Sequence, residues 1–288
     1  MTDETTLLRS ALFVPGDKPR AIEKAPGLGA DALMLDLEDA VAPENKAAAR
    51  AGAKDAVARF KAGGARAVLR VAEPDSPDLD ADLACAAGAR PDAVLVAKVD
   101  HPDQLAPIRR QLADAGAEPA LWAMIESPRA MLNLEAFADE GPALALAALV
   151  AGTNDLAEQL RLPENARRRG CEPHLVRLVL AARAGGMAAL DGVYNAYADA
   201  DGFKAEACAG RALGFDGKTL IHPSQVASAN AAFGPDAAEI AWAHKVVAAF
   251  EDPDNSSKGA VPVEGRMVEV MHLRQARAVL AAAADMKD

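Results

Sequence analysis

Glu126 and Asp155 stand just beyond two short apolar runs, ALWAMI (120–125) and LAALVA (146–151). If those runs are neighbouring strands, the two carboxylates share one tip. Oxygen-only ligation by one or two carboxylates plus water suits Mg²⁺, which keeps waters and takes up substrate oxygens. Spacing alone leaves open that Glu126 is a surface carboxylate and Asp155 a helix N-cap. Arg70 lies between Leu69 and Val71 inside another apolar run. A guanidinium there either meets an anionic substrate or closes a structural ion pair with Asp36 or Glu38. Asp36, Glu38 and Asp39 are acceptors able to orient Arg or Lys, or members of a rim ion-pair network. Lys18, Arg20 and Lys24 form a basic stripe fit for phosphates or, by default, a solvated helix face. His222 precedes a proline and reads as a hydrogen-bonded structural residue. The run Arg167-Arg168-Arg169 reads as a solvated loop, and the other histidines have no partner pattern.

These side chains need a scaffold. The runs SALFV (10–14), ALMLD (32–36), AVLRV (67–71), AVLVA (93–97), ALWAMI (120–125), LAALVA (146–151), AALDGV (188–193) and GKTLI (217–221) are too short for helices. Each is bounded by Gly, Pro or charge, as strands buried on both faces are. Helical patterns fill the intervals at 18–29, 43–62, 78–88, 102–115, 128–139, 173–186, 200–213 and 223–233, several opening on a proline and closing at a glycine. Eight strand–helix units predict an α/β fold of the (β/α)8 TIM-barrel type. No G-x-G-x-x-G or P-loop follows any strand, which weakens an open nucleotide-binding sheet. Ionisable residues follow essentially every strand, at the end where barrel enzymes keep their chemistry. The expected division is a catalytic barrel over 1–250 and a C-terminal lid with a terminal helix over 251–288.

Composition narrows the function. The 288 residues carry a net charge of −11, with 51% apolar and 4% aromatic residues. That supports a globular core and argues against nonspecific nucleic-acid binding. Three cysteines, Cys85, Cys171 and Cys208, fit neither a disulfide framework nor a zinc site. With no apolar signal segment and no membrane-length run, the expected place is the cytoplasm, with no membrane partner.

The segments LRSALFVPGDKPRAIEKA, GADALMLDLEDAVAPENKAAAR, AMIESPRAMLN, GTNDLAEQL, LDGVYNAYADADGFKAE, GRALGFDGKTLIHPSQ and GRMVE resemble the citrate lyase β-subunit-like (HpcH/HpaI aldolase) superfamily. The likeness is greatest to its malyl-CoA lyase and malyl-CoA thioesterase branch. It runs from about Leu8 to the end, and DLEDAVAP with GFDGKTLIHP is highly specific. The resemblance implies a TIM barrel whose C-terminal lid reaches a neighbouring subunit, in homotrimers or hexamers. It implies Mg²⁺ at Glu126 and Asp155, and it matches the family's strand-3 arginine with Arg70. It implies a coenzyme A site at Phe13, Lys18 and Lys24, and it matches the acidic DLED group with Asp36, Glu38 and Asp39. Three positions depart from the pattern. V-R-V-N reads Leu69-Arg70-Val71-Ala72, and P-K reads Ala97-Lys98. The lid's G-x-M-V-D aspartate, an acid/base in lyase members, is Glu269, as in thioesterase-like members.

The function expected is Mg²⁺-dependent retro-Claisen cleavage of a 3-hydroxyacyl-CoA, such as malyl-CoA or citramalyl-CoA, to acetyl-CoA and a 2-oxoacid, with Arg70 and Glu269 catalytic. One alternative is a malyl-CoA thioesterase using the same site. Another is a citrate lyase β-type subunit working with a partner acyl carrier.

Overall fold

The computed structural model describes residues 7–255 and 258–286. Its larger unit, Leu8–Ala232, alternates strands and helices. The strands are β1 (Ser10–Pro15), β2 (Ala32–Asp36), β3 (Arg66–Val71), β4 (Ala93–Val96), β5 (Ala120–Ile125), β6 (Leu146–Ala151), β7 (Ala188–Asp191) and β8 (Gly217–Leu220). They pair in parallel, in sequence order, and β8 closes on β1 through Ser10↔Lys218, Ala11↔Thr219 and Leu12↔Leu220. Nearly every strand residue is buried, because one face looks into the barrel and the other onto helices; hence the unbroken apolar runs. Ala11, Met34, Val68, Leu95, Trp122 and Val150 belong to the core cluster that fills the barrel. At the seam, Gly217 passes so near the Leu8 carbonyl that a Cβ there would collide with it.

Helices cover the sheet. They are α1 (Pro19–Lys24), α2 (Lys46–Ala62), α3 (Leu79–Ala89), α4 (Leu105–Asp114), α5 (Pro128–Leu132), α6 (Leu134–Glu140), α7 (Thr153–Gln159), α8 (Arg167–Ala184), α9 (Ala200–Ala212) and α10 (Val226–Phe233). On α2 the buried residues are Ala49, Ala53, Ala56, Val57 and Phe60, one stripe at helical spacing. Ser127 caps α5 by accepting the Ala130 N–H at 3.0 Å, with Pro128 in the first turn.

The segment read as a basic loop is helical. α8 starts at Arg167 and runs through Pro173. Arg168 Nη1 donates to buried Asp191 at 2.6 Å, and Cys171 and Leu175 are fully buried, so the first turns are held despite the proline. The same Asp191 meets the fully buried Lys218 ammonium at 3.2 Å, and Lys218 also reaches Glu206 at 2.8 Å. This four-residue network pins α8 and α9 to β7 and β8. Burial alone would raise the Asp191 carboxyl, but Lys218 and Arg168 outweigh it and hold the carboxyl below its ordinary range.

The second compact unit runs from Phe233 onward. It holds α11 (Ala237–Glu251), β9 (Ala260–Val263), β10 (Arg266–Glu269) and α12 (Val270–Asp285). The compact boundary thus falls before residue 250, and α11 goes with the C-terminal segment. The reason is its inner face: Ala243 and Val246 pack with Val261, Val263, Val268 and Ala276. The β9–β10 hairpin turns on Glu264 (φ 46°) and Gly265 (φ 77°), both left-handed, as a two-residue primed turn demands. Trp242, partly buried, lies under the Arg266 guanidinium at 5.2 Å. Among the described residues no helix is long and apolar enough to cross a membrane.

Candidate active site

At the C-terminal ends of β2 and β3 the strand register sets Asp36 beside Arg70. The contact is two-pronged: Arg70 Nε donates to Asp36 Oδ1 at 2.8 Å and Nη2 to Oδ2 at 2.5 Å. Glu38 Oε2 stands 3.1 Å from Nη1. The guanidinium carbon lies 4.7 Å from the Phe13 ring centroid, on neighbouring β1. Burial works against a charge on Arg70, but Asp36 and Glu38 overcome it and the group holds its proton more tightly than usual. Burial raises the Glu38 carboxyl, although Arg70 and Lys98 oppose that. Lys98 Nζ meets Glu38 at 2.7 Å and the exposed Asp39 at 3.4 Å.

Across the barrel mouth, Ile125 pairs with Ala151, so Glu126 leaves β5 beside Gly152 at the end of β6. Gly152 leads into α7, and Asp155 occupies that helix's first turn. Glu126 is 3% exposed and accepts the Lys98 backbone N–H at 2.8 Å. Burial, then the charge and hydrogen bond of Asp155, push its carboxyl up to about 8. A Cβ at Gly152 would overlap the Glu126 side chain. Gly152→Ala is therefore expected to displace Glu126, weaken Mg²⁺ binding at least about tenfold and destabilise the fold by about 1–3 kcal/mol. Calorimetric titration with Mg²⁺ and urea unfolding measure both.

A cavity of about 370 Å³ opens between these groups, with Phe13, Arg70, Glu126, Thr153, Asp155 and Ile221 in its wall. Phe13, Asp36, Asp39, Arg70, Glu126 and Asp155 therefore converge on one space, and Glu38 braces Arg70 from behind. Lys18 and Lys24 lie on the exposed face around α1, Lys18 beside Asp17 at 3.1 Å. Glu269 belongs to the other compact unit. It is exposed at the start of α12, its N–H donating to His272 Nδ1 at 2.9 Å. His222 bonds Ser224 through Nδ1 and stacks on Tyr197 at 4.6 Å, a structural role as expected. Lys98 and Gly152 shape the site without having stood out as site residues; the first sits in the Ala97-Lys98 departure, the second in GTND.

The carboxylate pair suits Mg²⁺. Burial and the neighbouring Asp155 raise the cost of ionising Glu126, and a divalent cation removes that cost. Among the described residues no group of three or more His, Cys, Asp or Glu is placed to hold a metal. Two carboxylates with water and substrate oxygens completing the shell match this ion's habit.

The model of the HpcH/HpaI aldolase/citrate lyase family matches residues 9–223, the whole course of the barrel. The chain belongs to this family. It is 42% identical to the (3S)-malyl-CoA thioesterase of Cereibacter sphaeroides, over 98% of this chain and 97% of that one. It is 30% identical to the mitochondrial citramalyl-CoA lyase of Rattus norvegicus, over 97% and 87%. Among solved structures, the CitE protein of Mycobacterium tuberculosis in complex with magnesium, acetoacetate and coenzyme A matches with a TM-score of 0.77 and 30% identity, over 96% and 97% of the two chains. These relatives of the HpcH/HpaI chain include both lyases and thioesterases, and family members bind magnesium.

Proposed function

We propose that this HpcH/HpaI chain is a Mg²⁺-dependent carbon–carbon lyase acting on a malyl-type 3-hydroxyacyl-CoA and releasing acetyl-CoA and a 2-oxoacid. One observation carries the reading: the paired Arg70 guanidinium and the Glu126–Asp155 carboxylates line one cavity, with Glu126 buried against Asp155. Glu126 and Asp155 would hold the cation. When bound, Mg²⁺ supplies Lewis-acid stabilisation to oxygens that gain negative charge. Arg70, fixed on Asp36, offers its remaining N–H groups to the thioester oxygen as the enolate forms, the part an oxyanion hole plays. Glu269 would exchange the proton with the enolate carbon. Phe13 would pack against the coenzyme, and Lys18 and Lys24 would take its phosphates by charge-assisted contacts. Asp36, Glu38 and Asp39 keep Arg70 and Lys98 oriented. We further propose a homotrimer or hexamer, with the C-terminal segment serving a neighbouring subunit.

Hydrolysis of the same thioester is the second reading. The 42% identity to a thioesterase over nearly the full chain favours it, as does Glu269 in place of the aspartate. Cleavage, however, draws on cation binding and enolate stabilisation in the barrel, with Glu269 taking the hydroxyl proton and returning one to the enolate carbon. Hydrolysis also needs a free base for water, and the cavity's buried carboxylates are already engaged.

The test is a panel of CoA thioesters given to the isolated chain with and without Mg²⁺. Malyl-CoA should yield glyoxylate and acetyl-CoA, with EDTA abolishing turnover and Mg²⁺ restoring it. Free CoA thiol without glyoxylate would establish the thioesterase instead, and inactivity on every free thioester would point to a carrier-dependent subunit. Glu269→Ala should remove turnover at least about 100-fold; unchanged turnover would remove Glu269 from the mechanism.

A further inference from the structure

Lys98 carries a conformation that needs explaining. Among the described residues, five non-glycines have positive φ. Arg90 and Ala145 cap helices, Arg161 follows the end of α7, and Glu264 turns the hairpin. Lys98 differs: it lies two residues past the end of β4, at the C-terminal end of a barrel strand, with φ 50°. A lysine there is strained against an extended backbone, and such strain is kept where surrounding structure fixes it.

The bend lets one residue hold two parts of the site. Its backbone N–H donates to Glu126 Oε1 at 2.8 Å. Its side chain turns the other way, and Nζ meets Glu38 Oε1 at 2.7 Å. The other Glu38 oxygen lies 3.1 Å from Arg70 Nη1. A continuous chain therefore runs Glu126–Lys98–Glu38–Arg70, from the proposed cation ligand to the proposed enolate-binding group.

We propose that Lys98 is a positioning residue with two separable actions: its left-handed backbone aims Glu126, and its ammonium neutralises Glu38 so that Arg70 stays committed to Asp36. The inference rests on the roles assigned above to Glu126 and Arg70. Lys98 itself does not react. Without the ammonium, Glu38 is a buried acid with one cationic partner, and it competes with Asp36 and the substrate for the guanidinium. Without the left-handed bend, the N–H leaves Glu126, and the carboxylate loses the backbone donor that orients it.

Two variants separate the actions. Lys98→Asn removes the ammonium but tolerates positive φ. It should keep the Mg²⁺ dissociation constant within about threefold of wild type and lower kcat by about 10–100-fold. Lys98→Val adds a β-branched residue that resists positive φ; it should also weaken Mg²⁺ about tenfold or more. Mg²⁺ binding is read by calorimetric titration of the full chain, independent of turnover. Adding Glu38→Gln to Lys98→Asn removes the uncompensated acid, so about tenfold of kcat should return, and this double variant also guards against a folding defect in the single one. Equal Mg²⁺ affinity in Lys98→Val and Lys98→Asn would overturn the backbone action. Absence of rescue by Glu38→Gln would overturn the ammonium action. If Glu126→Gln leaves wild-type Mg²⁺ affinity unchanged, the metal reading itself has failed; if it abolishes binding while the Lys98 variants behave as wild type, only the Lys98 inference has failed.

Discussion

Arg70→Met is expected to lower kcat about 100- to 1000-fold, the usual result of removing one oxyanion donor. It is also expected to cost about 3–5 kcal/mol of stability, because two buried acids lose their shared partner. Asp36 is 1% exposed and Glu38 5%, so water cannot take over the work of the guanidinium. Arg70→Lys should rescue little of either loss. One ammonium cannot make the parallel bonds of 2.8 and 2.5 Å to both Asp36 oxygens. Steady-state kinetics with a malyl-type thioester and urea unfolding check the two halves. Turnover within tenfold of wild type would take Arg70 out of the chemistry and leave it a structural ion pair.

Glu126→Gln should show the opposite balance between stability and function. Mg²⁺ affinity should fall at least about 100-fold, since a neutral amide replaces a charged ligand. The metal-free fold should nevertheless become more stable at alkaline pH. The folded carboxyl is pushed up to about 8 from 4.5, so between those values the folded chain holds a proton that the unfolded chain has released. Stability from this group is fully present below about 4.5 and is lost as pH rises through 8. The amide of the Glu126→Gln variant cannot ionise, so that variant should lack the alkaline loss. In the wild type, Mg²⁺ should restore what alkaline pH removes, its affinity should rise with pH up to about 8, and its binding should release a proton. Thermal unfolding from pH 5 to 9, with Mg²⁺ and with EDTA, measures all of this. An unchanged pH slope in Glu126→Gln would mean that the carboxyl is not strained.

The strands were legible because a parallel barrel buries both faces of each one, and a run such as ALMLD has no other stable use. The site residues were legible by position, since Asp36, Glu126 and Asp155 end or follow such runs and Arg70 is a charge inside one. Their mutual contacts were not. Glu126 and Asp155 meet because β5 and β6 pair in one register and Gly152 has no side chain, which spacing cannot reveal. The start of α8 was hidden by Pro173 and three arginines, a composition that reads as loop until Arg168 finds buried Asp191. α11 was missed because its burying residues are mostly alanine and valine at positions whose partners come from β9 and β10, later in the chain. Lys98 did not stand out because nothing in the sequence marks a lysine for positive φ.

The chain has two tryptophans, and the fold assigns one to each compact unit. Trp122 is wholly enclosed in the barrel, and among the described residues its indole nitrogen has no hydrogen-bond partner. Trp242 is partly wet and sits beneath a cation. Their fluorescence should differ accordingly: a blue-shifted emitter for the barrel and a redder one for the C-terminal segment. Replacing either with phenylalanine leaves a single intrinsic dye, so quenching by acrylamide or iodide can follow each unit's opening separately without any added label.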